Sequence, residues 1–325
     1  MCGIVGYVGP KPALSVVVEG LRRLEYRGYD SAGVAVVSAG ALHTAKKAGK
    51  IANLDAALAD SPLPTDGPAI GHTRWATHGA PNDVNAHPHT SASGRVALVH
   101  NGIIENYLAL RTELEAAGTP ILSETDTEIV AHLLGAEVEG GAGLADALRT
   151  VCGRLSGAFT LVAVDAADPG VVVAARRNSP LVVGLGDREN FVASDVAAFI
   201  SHTREAVELG QDQVVEVRAE GVTVTDFAGQ PAEVRPYHVD WDLSAAEKGG
   251  YDWFMRKEIY EQPKAVADTL LGRYDADGAL TLDEIRITEA ELRAVDKIIV
   301  IACGTAFYAG LVAKYAIEHW TRIPC

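Results

Sequence analysis

Cysteine and positive charge are both scarce in this chain of 325 residues, which has four cysteines and 28 lysine and arginine residues against 43 acidic ones. No pair of cysteines has the spacing of metal ligands, and a chain of this length needs no disulfide framework. The formal net charge of −15 argues against a nucleic acid or an anionic membrane surface as the main partner. We therefore predict no metal, no other cofactor, and no nucleic-acid or membrane partner.

Long apolar segments are also absent. The longest apolar runs, such as "VVVAA" and "IIVIA", suit buried strands and are too short to span a bilayer. The N-terminus lacks the basic and then apolar pattern of a signal peptide. These two absences predict a cytoplasmic protein, and the 48% of hydrophobic residues is ample for a buried core.

Strands and helices are predicted in blocks. Strands fit residues 3–9 and "SAGVAVVS" at 31–38, and helices fit 125–137 and 142–155. Short strands then dominate 157–226. Because the two kinds of element do not alternate strictly, the pattern favours an α+β fold of antiparallel sheets with helices packed on their faces.

The character of the chain changes near residue 236. An extended segment and a helix ended by Pro263 are predicted there, and "VDKIIVIACGTAFYAGLVAKYAIEHW" predicts a strand, a glycine turn and a helix. One strand and one helix cannot bury a core, so we expect a second α/β domain that is cut off at the last residue. The predicted division is a first domain at 2–235, a linker with helices at 236–294 and the start of the second domain at 295–325.

The opening "MCGIVGYVG" places Cys2 directly after the initiator methionine. Removal of Met1 would leave a thiol and a free amine on one residue. The α-amine has a pKa of about 7.7–8.0, so it could take the thiol proton directly or through a water. The alternative at this stage is that Met1 stays and Cys2 is only a small strand residue.

An oxyanion site is one interpretation of "LVHNGIIEN", which places Asn101 and Gly102 at the predicted end of a strand, just before a helix. A carboxamide N–H and a backbone N–H that converge there would suit a tetrahedral oxyanion. A simple turn is the other interpretation, because Asn-Gly is a common turn pair.

The segment "GHTRWATHGAPNDVNAHPH" is rich in histidine and contains Arg74. Zinc binding is disfavoured, since the histidines lack tight ligand spacing and have no cysteine or acidic cluster beside them. The planar fork of arginine instead matches a carboxylate. Asp126 in "SETDTE" offers a counter-charge, although an acidic residue there could equally cap a helix. Together Arg74 and Asp126 could hold both ends of an α-amino acid.

Six strings occur in order along the chain: "CGIVGYVG", "LRRLEYRGYDSAG", "GHTRWATHG", "NAHPH", "VHNGIIEN" and "SETDTE". This set resembles the glutaminase domain of the glucosamine-6-phosphate synthases, a family of N-terminal-nucleophile (Ntn) glutamine amidotransferases. The resemblance continues through "KEIYEQP" to "ACGT", where it matches the start of a sugar-isomerase (SIS) domain. It implies a four-layer α/β/β/α sandwich and the release of ammonia from L-glutamine, which the longer enzyme delivers to fructose-6-phosphate to make glucosamine-6-phosphate.

The resemblance also implies roles for single residues. Cys2 would be the nucleophile that forms a γ-glutamyl thioester, and Asn101 with the Gly102 amide would form the oxyanion hole. Residues implied to bind glutamine or to close over it are Arg74 at the α-carboxylate, Asp126 at the α-amine, Thr77 and His78 nearby, and Trp75 in the closing loop. Residues implied to support the site are Arg27, His72, His87 and His100.

In the second domain the resemblance implies weak sugar-phosphate contacts from Gly304 and Thr305, with Ala306 where serine is common. Most of the isomerase region is missing, so we expect this chain to hydrolyse glutamine without making the amino sugar. A homodimer is implied for the longer enzyme. Two alternatives stay open, namely an Ntn amidotransferase with another acceptor, such as phosphoribosyl pyrophosphate or aspartyl-adenylate, and a silent phosphosugar-binding or dimerisation fragment.

Overall fold

Residues 2–240, 251–270 and 287–325 are described by a computed structural model. The chain divides into two units, Met1–Phe254 and Met255–Cys325. No helix in these described ranges is long and apolar enough to cross a membrane. The predicted linker at 236–294 lies partly outside the described residues, so the division into three parts stays a prediction.

Two antiparallel sheets form the framework of the first unit. Its strands are β1 (Gly3–Val8), β2 (Ser31–Ser38), β3 (Ala41–Ala48), β4 (Ala69–Arg74), β5 (His89–Thr90), β6 (Val96–Ile104), β7 (Gly157–Asp165), β8 (Asp168–Arg177), β9 (Val182–Leu185), β10 (Asn190–Ala193), β11 (Glu205–Glu208), β12 (Gln213–Arg218), β13 (Gly221–Asp226) and β14 (Arg235–His238). Sheet one has the order β14-β11-β9-β10-β1-β4-β2-β3, and sheet two has the order β13-β12-β8-β7-β6-β5.

Helices cover the outer faces of both sheets. Those of the first unit are α1 (Ala13–Arg23), α2 (Ile51–Asp60), α3 (Tyr107–Ala116), α4 (Asp126–Glu139) and α5 (Leu144–Arg154), with 3₁₀ turns at Glu25–Arg27 and Val196–Ala198. Helices α1 and α2 pack on sheet one through residues such as Leu21 and Leu54. Helices α3 to α5 pack on sheet two through residues such as Ile129 and Leu148.

A third apolar cluster lies between the two sheets. It joins Ile4 and Ile70 of sheet one to Val99 and Val162 of sheet two, and all four are fully buried. Since both sheets are covered on both faces, β1 and β2 are buried along their whole lengths. The layers therefore run α/β/β/α, and the predicted fold class is confirmed.

The helix predicted directly after Asn101 and Gly102 begins later than expected. Strand β6 continues to Ile104, which pairs with Gly157 of β7, and α3 begins only at Tyr107. Ile103 pairs with Ala158 in the same ladder, so both isoleucines belong to the strand. Asn101 and Gly102 therefore lie inside a strand, and both their placement at its end and the simple-turn interpretation are wrong.

The second unit contains α6 (Phe254–Leu270), α7 (Glu289–Arg293) and α8 (Gly304–Thr321). Pro263 lies inside α6, so the prediction that it ends a helix is wrong; a proline removes one backbone N–H donor, and α6 continues on both sides. The helix predicted after "CGT" is present as α8. The strand predicted before it does not form: residues 295–303 join no sheet among the described residues, although the Ile298 N–H donates to the Pro324 carbonyl over 2.9 Å. Ile301 in that segment is 92% exposed.

Candidate active site

Groups from three other parts of the chain meet at Cys2, which directly precedes β1. The backbone N–H of Trp75 donates a hydrogen bond to Cys2 Sγ over 3.1 Å. The Cys2 carbonyl accepts hydrogen bonds from Arg27 Nε and from Asn101 Nδ2, each over 3.1 Å. Arg27 is held from its other side by Asp195, with 3.5 Å between Nη1 and Oδ2. These hydrogen bonds hold the backbone of Cys2 and its thiol in one position.

The thiol of Cys2 is a weak acid in this setting. Burial raises its pKa above the ordinary value, and the Trp75 N–H and the charges of Arg74 and Arg27 oppose that shift only in part. The group is therefore protonated at neutral pH. It needs a base before it can act as a nucleophile, because the thiolate is the reactive form.

Gly102 and Asn101 lie next to Cys2 in β6. Gly102 has a φ of +129°, and a Cβ at this position would lie 2.0 Å from the carbonyl oxygen of Ala158. Only glycine fits there, so the backbone of β6 and β7 can approach closely. Asn101 is buried, and its Nδ2 donates to Ser194 Oγ over 3.0 Å in addition to the Cys2 carbonyl.

Arg74 ends β4 and is only 4% exposed. Its Nη2 donates to the carbonyl of His78, whereas its buried Nη1 has no hydrogen-bond partner among the described residues. The guanidinium is close enough to Cys2 and Asp126 to interact electrostatically with both. A buried cationic donor without an acceptor is costly, and a carboxylate ligand would satisfy it.

Asp126 is the first residue of α4 and is also buried. Its Oδ2 accepts a hydrogen bond from the Ile104 N–H over 2.8 Å, and its Oδ1 lies 3.9 Å from His100 Nδ1. The cap of α4 is Thr125, whose side chain accepts from the N–H of Glu128. The alternative interpretation of Asp126 as the helix cap is therefore wrong.

Trp75 belongs to an exposed loop that begins at the end of β4. Its ring is 45% exposed and contacts Tyr29 edge to face, with 5.5 Å between the ring centroids. The loop is tied to Asp30, which accepts from the Ala76 N–H over 2.8 Å and donates its own N–H to the Arg74 carbonyl over 2.9 Å. These bonds set the position from which the Trp75 side chain projects.

A cavity of about 320 Å³ opens at Cys2, which is within the usual size range of small-ligand pockets. Its lining consists of Cys2, Arg27, Trp75, Thr77, Asn101, Gly102, Ile103, Ser179 and Pro180. Six predicted site residues are thus brought together at its wall. Arg74, His78 and Asp126 do not line it, and Gly304 and Thr305 belong to the second unit.

Four histidines form a buried group beside this cavity. His72 packs against His87 with 4.3 Å between their tilted rings' centroids, and His87 contacts His89 at 5.1 Å. Burial lowers the pKa of both His72 and His89 to about 3, so these rings are neutral at working pH. No group of three or more potential metal ligands occurs in the part of the chain that the structure describes.

Comparison with known proteins places this geometry in a family. A family model described as a glutamine amidotransferase domain matches residues 59–235. The chain belongs to the glutamine amidotransferase family. The match begins after Cys2, so the predicted nucleophile lies outside the matched region.

Similar proteins extend the likeness over the whole amidotransferase chain. A glutamine–fructose-6-phosphate aminotransferase (isomerizing) from Streptomyces coelicolor is 70% identical over 325 residues, which is all of this chain and 53% of the relative. The enzyme of the same name from Corynebacterium diphtheriae is 59% identical over 333 aligned residues, with 100% and 53% coverage. The chain therefore spans about half the length of the curated relatives it matches.

Two solved structures support the Ntn amidotransferase fold. Glutamine phosphoribosylpyrophosphate amidotransferase from B. subtilis aligns with a TM-score of 0.60 at 26% identity, covering 71% of this chain and 50% of that one. A structure described as the allosteric regulatory enzyme of purine biosynthesis aligns with a TM-score of 0.62 at 27% identity, covering 70% and 49%.

Sequence reasoning missed four residues at this amidotransferase site, namely Ile103, Ser179, Pro180 and Ser194. Ser179 and Pro180 follow β8, and Ser194 follows β10, so each reaches Cys2 only through sheet pairing. No local pattern marks them. Ile103 was assigned to a helix, and its pairing with Ala158 of β7 is what places it in β6.

Proposed function

We propose that this chain is the glutamine-hydrolysing part of a glutamine–fructose-6-phosphate aminotransferase, with Cys2 as the nucleophile. The single observation that carries the proposal is the position of Cys2 Sγ in a cavity that Asn101 and Gly102 also line. Identity of 70% to a relative of that name extends through the second unit, which favours fructose-6-phosphate over other acceptors.

Removal of Met1 would expose the α-amine of Cys2, which then takes the thiol proton. The raised pKa of the thiol supports this requirement, since the resting group is not a thiolate. Sulfur attacks the side-chain carbonyl carbon of glutamine, and the C–O π electrons move to the oxygen as a new C–S bond forms. Asn101 and Gly102 would donate to that oxyanion.

Collapse of the tetrahedral intermediate breaks the C–N bond. The α-ammonium returns its proton to the leaving nitrogen, so ammonia leaves and a γ-glutamyl thioester remains. Water then attacks the thioester with the amine as base, which releases glutamate and restores the thiol. Ammonia would pass to fructose-6-phosphate in the longer protein.

Arg74 would bind the α-carboxylate of glutamine, and its Nη1, which has no hydrogen-bond partner in the described part of the chain, supports this role. Asp126 would bind the α-amine, with Thr77 and His78 nearby. Trp75 would close over bound glutamine from its exposed loop, whose position at the cavity wall supports the assignment. Residues proposed for lesser roles are Arg27 in ordering Cys2, and Gly304 and Thr305 at the sugar phosphate. Homodimerisation and a cytoplasmic location stay part of this proposal.

Intact mass and covalent labelling test the nucleophile. We expect Met1 to be absent, glutamine to be hydrolysed, and a glutamine-derived electrophile to add one label. Cys2→Ala should abolish both hydrolysis and labelling. Cys152→Ala is the control, because Cys152 is fully buried and burial raises the pKa of its thiol to about 12. Retention of Met1 on the whole sample, or labelling at Cys152 or Cys303, would overturn the assignment.

A further inference from the structure

All three polar positions of the Asn101 carboxamide are already engaged. Its Nδ2 donates to the Cys2 carbonyl over 3.1 Å and to Ser194 Oγ over 3.0 Å. Its Oδ1 lies 2.9 Å from Nε2 of His72. Both Nδ2 hydrogens are therefore engaged in the free protein, and donation to an oxyanion requires one of them to leave, or be shared with, the Cys2 carbonyl or Ser194 Oγ. The residues around the carboxamide decide which way its NH₂ end points.

The hydrogen on His72 can be assigned from its acceptors. Nε2 lies 3.0 Å from the His100 carbonyl oxygen as well as 2.9 Å from Asn101 Oδ1. A carbonyl oxygen cannot donate, so Nε2 must carry the hydrogen. The Cys2 carbonyl likewise requires the NH₂ end of Asn101 to face it. Both ends of the carboxamide thus specify one orientation.

Rotation of the carboxamide by 180° would reverse both contacts. The NH₂ group would then face the His72 N–H, and Oδ1 would face the Cys2 carbonyl. Both His72 and Asn101 are buried, and an unsatisfied buried donor or acceptor costs roughly 1–3 kcal/mol. The His72 N–H therefore disfavours the flipped orientation, in which Asn101 would present Oδ1 instead of Nδ2 to Cys2.

The His72 ring is itself held in place. It packs against His87 with the two rings tilted by 38°, and it is fully buried. Burial lowers its pKa to about 3, with the Arg74 charge acting in the same direction, so the ring stays neutral when the enzyme works. His72 is thus a fixed hydrogen-bond donor and has no acid or base role.

We propose that His72 is a positioning residue for glutamine hydrolysis, because its Nε2–H holds the Asn101 carboxamide with Nδ2 facing the reacting centre. This inference rests on the proposed function of Cys2 and Asn101. It predicts that His72 acts on the transition state only through Asn101. Loss of the His72 donor should therefore lower kcat and leave glutamine binding nearly unchanged.

Two substitutions of His72 by side chains of similar length separate the effect of its hydrogen-bond donor from the effect of its packing. His72→Gln keeps an N–H donor near the position of Nε2, whereas His72→Met fills the space without one. We expect kcat to fall about 10- to 100-fold in His72→Met, which is less than the roughly 10²–10³-fold loss typical when an oxyanion donor is deleted. His72→Gln should recover at least half of that loss on a logarithmic scale, and KM should stay within about threefold in both.

A double-mutant cycle tests whether the effect passes through Asn101. In an Asn101→Ala background, His72→Met should lower kcat by less than about twofold. His132→Met is the control for replacing a buried histidine, because His132 lies on α4 with its Nε2 3.4 Å from Glu128 Oε1, whereas His72 Nε2 contacts Asn101. It should leave kcat within about twofold of the unmodified chain.

Equal kcat values for His72→Gln and His72→Met would overturn the inference. So would a His72→Met substitution that lowers kcat as much in the Asn101→Ala background as it does in the unmodified chain. If His72→Met does not fold, His72→Phe replaces it in the comparison with His72→Gln, because phenylalanine keeps a ring that can pack against His87. If neither His72→Met nor His72→Phe folds while His72→Gln does, the His72 donor is needed for folding, and this result would also overturn the inference. Failure of the proposed function looks different, since Cys2→Ala would then still hydrolyse glutamine.

Discussion

Arg74→Ala is the sharpest test of how the cavity holds its substrate. The substitution removes a buried guanidinium whose Nη2 is bound to the His78 carbonyl and whose Nη1 has no described partner. Because one donor is unsatisfied in the free protein, its removal also relieves a desolvation cost. We expect the free energy of unfolding to change by no more than about 1 kcal/mol.

The effect on substrate binding should be much larger. Hydrogen bonds to a charged group contribute roughly 1.5–3 kcal/mol, and each 1.4 kcal/mol is tenfold in affinity, so KM for glutamine should rise about 10- to 150-fold. The α-carboxylate is remote from the bond that breaks, so the interaction is equal in the ground state and the transition state. On that argument kcat should change little.

Steady-state ammonia release at varied glutamine, together with denaturant unfolding, measures both quantities. Arg74→Lys should give an intermediate KM, since it keeps the charge but loses the planar fork. Arg149→Ala is the control, because Arg149 on α5 binds Thr225 and Asp146, whereas Arg74 interacts with Cys2 and Asp126. A rise in KM of less than twofold for Arg74→Ala would refute the carboxylate role.

Two further predictions concern stability. Burial opposes the shift, but hydrogen bonds from a histidine and two backbone amides lower the pKa of Glu128 to about 2. The hydrogen bonds that the structure shows to Glu128 come from the Leu122 and Ser123 amides, and His132 Nε2 lies 3.4 Å from its Oε1. The contribution of up to about 3 kcal/mol is present above pH ~4.3 and is lost as pH falls through about 2. Denaturant melts of Glu128→Gln against Glu139→Gln should therefore differ at pH 7 and converge near pH 2; a pH-independent difference would contradict this. Gly102→Ala should be at least about 2 kcal/mol less stable than Gly94→Ala, because both have positive φ but only Gly102 lacks room for a Cβ; equal unfolding free energies would contradict the crowding argument.

Local patterns were sufficient for most of the fold. The strand predicted at 31–38 is β2 with the same bounds, and the helices predicted at 125–137 and 142–155 form with shifts of one or two residues. Apolar runs and the order of strand and helix blocks along the sequence predict these elements because both depend only on neighbouring residues. The end of β6 was misassigned because its last residues also fit a helix, and pairing with β7 decided between the two.

The site was predictable only where its residues occur in recognisable strings. Cys2, Arg74 and Asn101 lie in such strings, whereas Ser194 is in none. Ser194 lies 190 residues from Ile4, whose N–H it binds over 2.8 Å, and it reaches Asn101 only because β10 pairs with β1. A contact that depends on sheet order leaves no signal in the residues on either side of it.

The residues of the proposed site lie on both sheets, so the packing between the sheets sets the distances between them. Cys2 and Arg74 are attached to β1 and β4 of sheet one, whereas Asn101 is in β6 of sheet two. The 3.1 Å bond from Asn101 to the Cys2 carbonyl therefore crosses the layer between the sheets. Residues such as Ile4 and Val99 fill that layer, and close-packed cores transmit small changes in volume as shifts of whole elements. Since a displacement of about 1 Å can cost 100-fold in rate, the interlayer packing belongs to the catalytic geometry as much as the polar residues do.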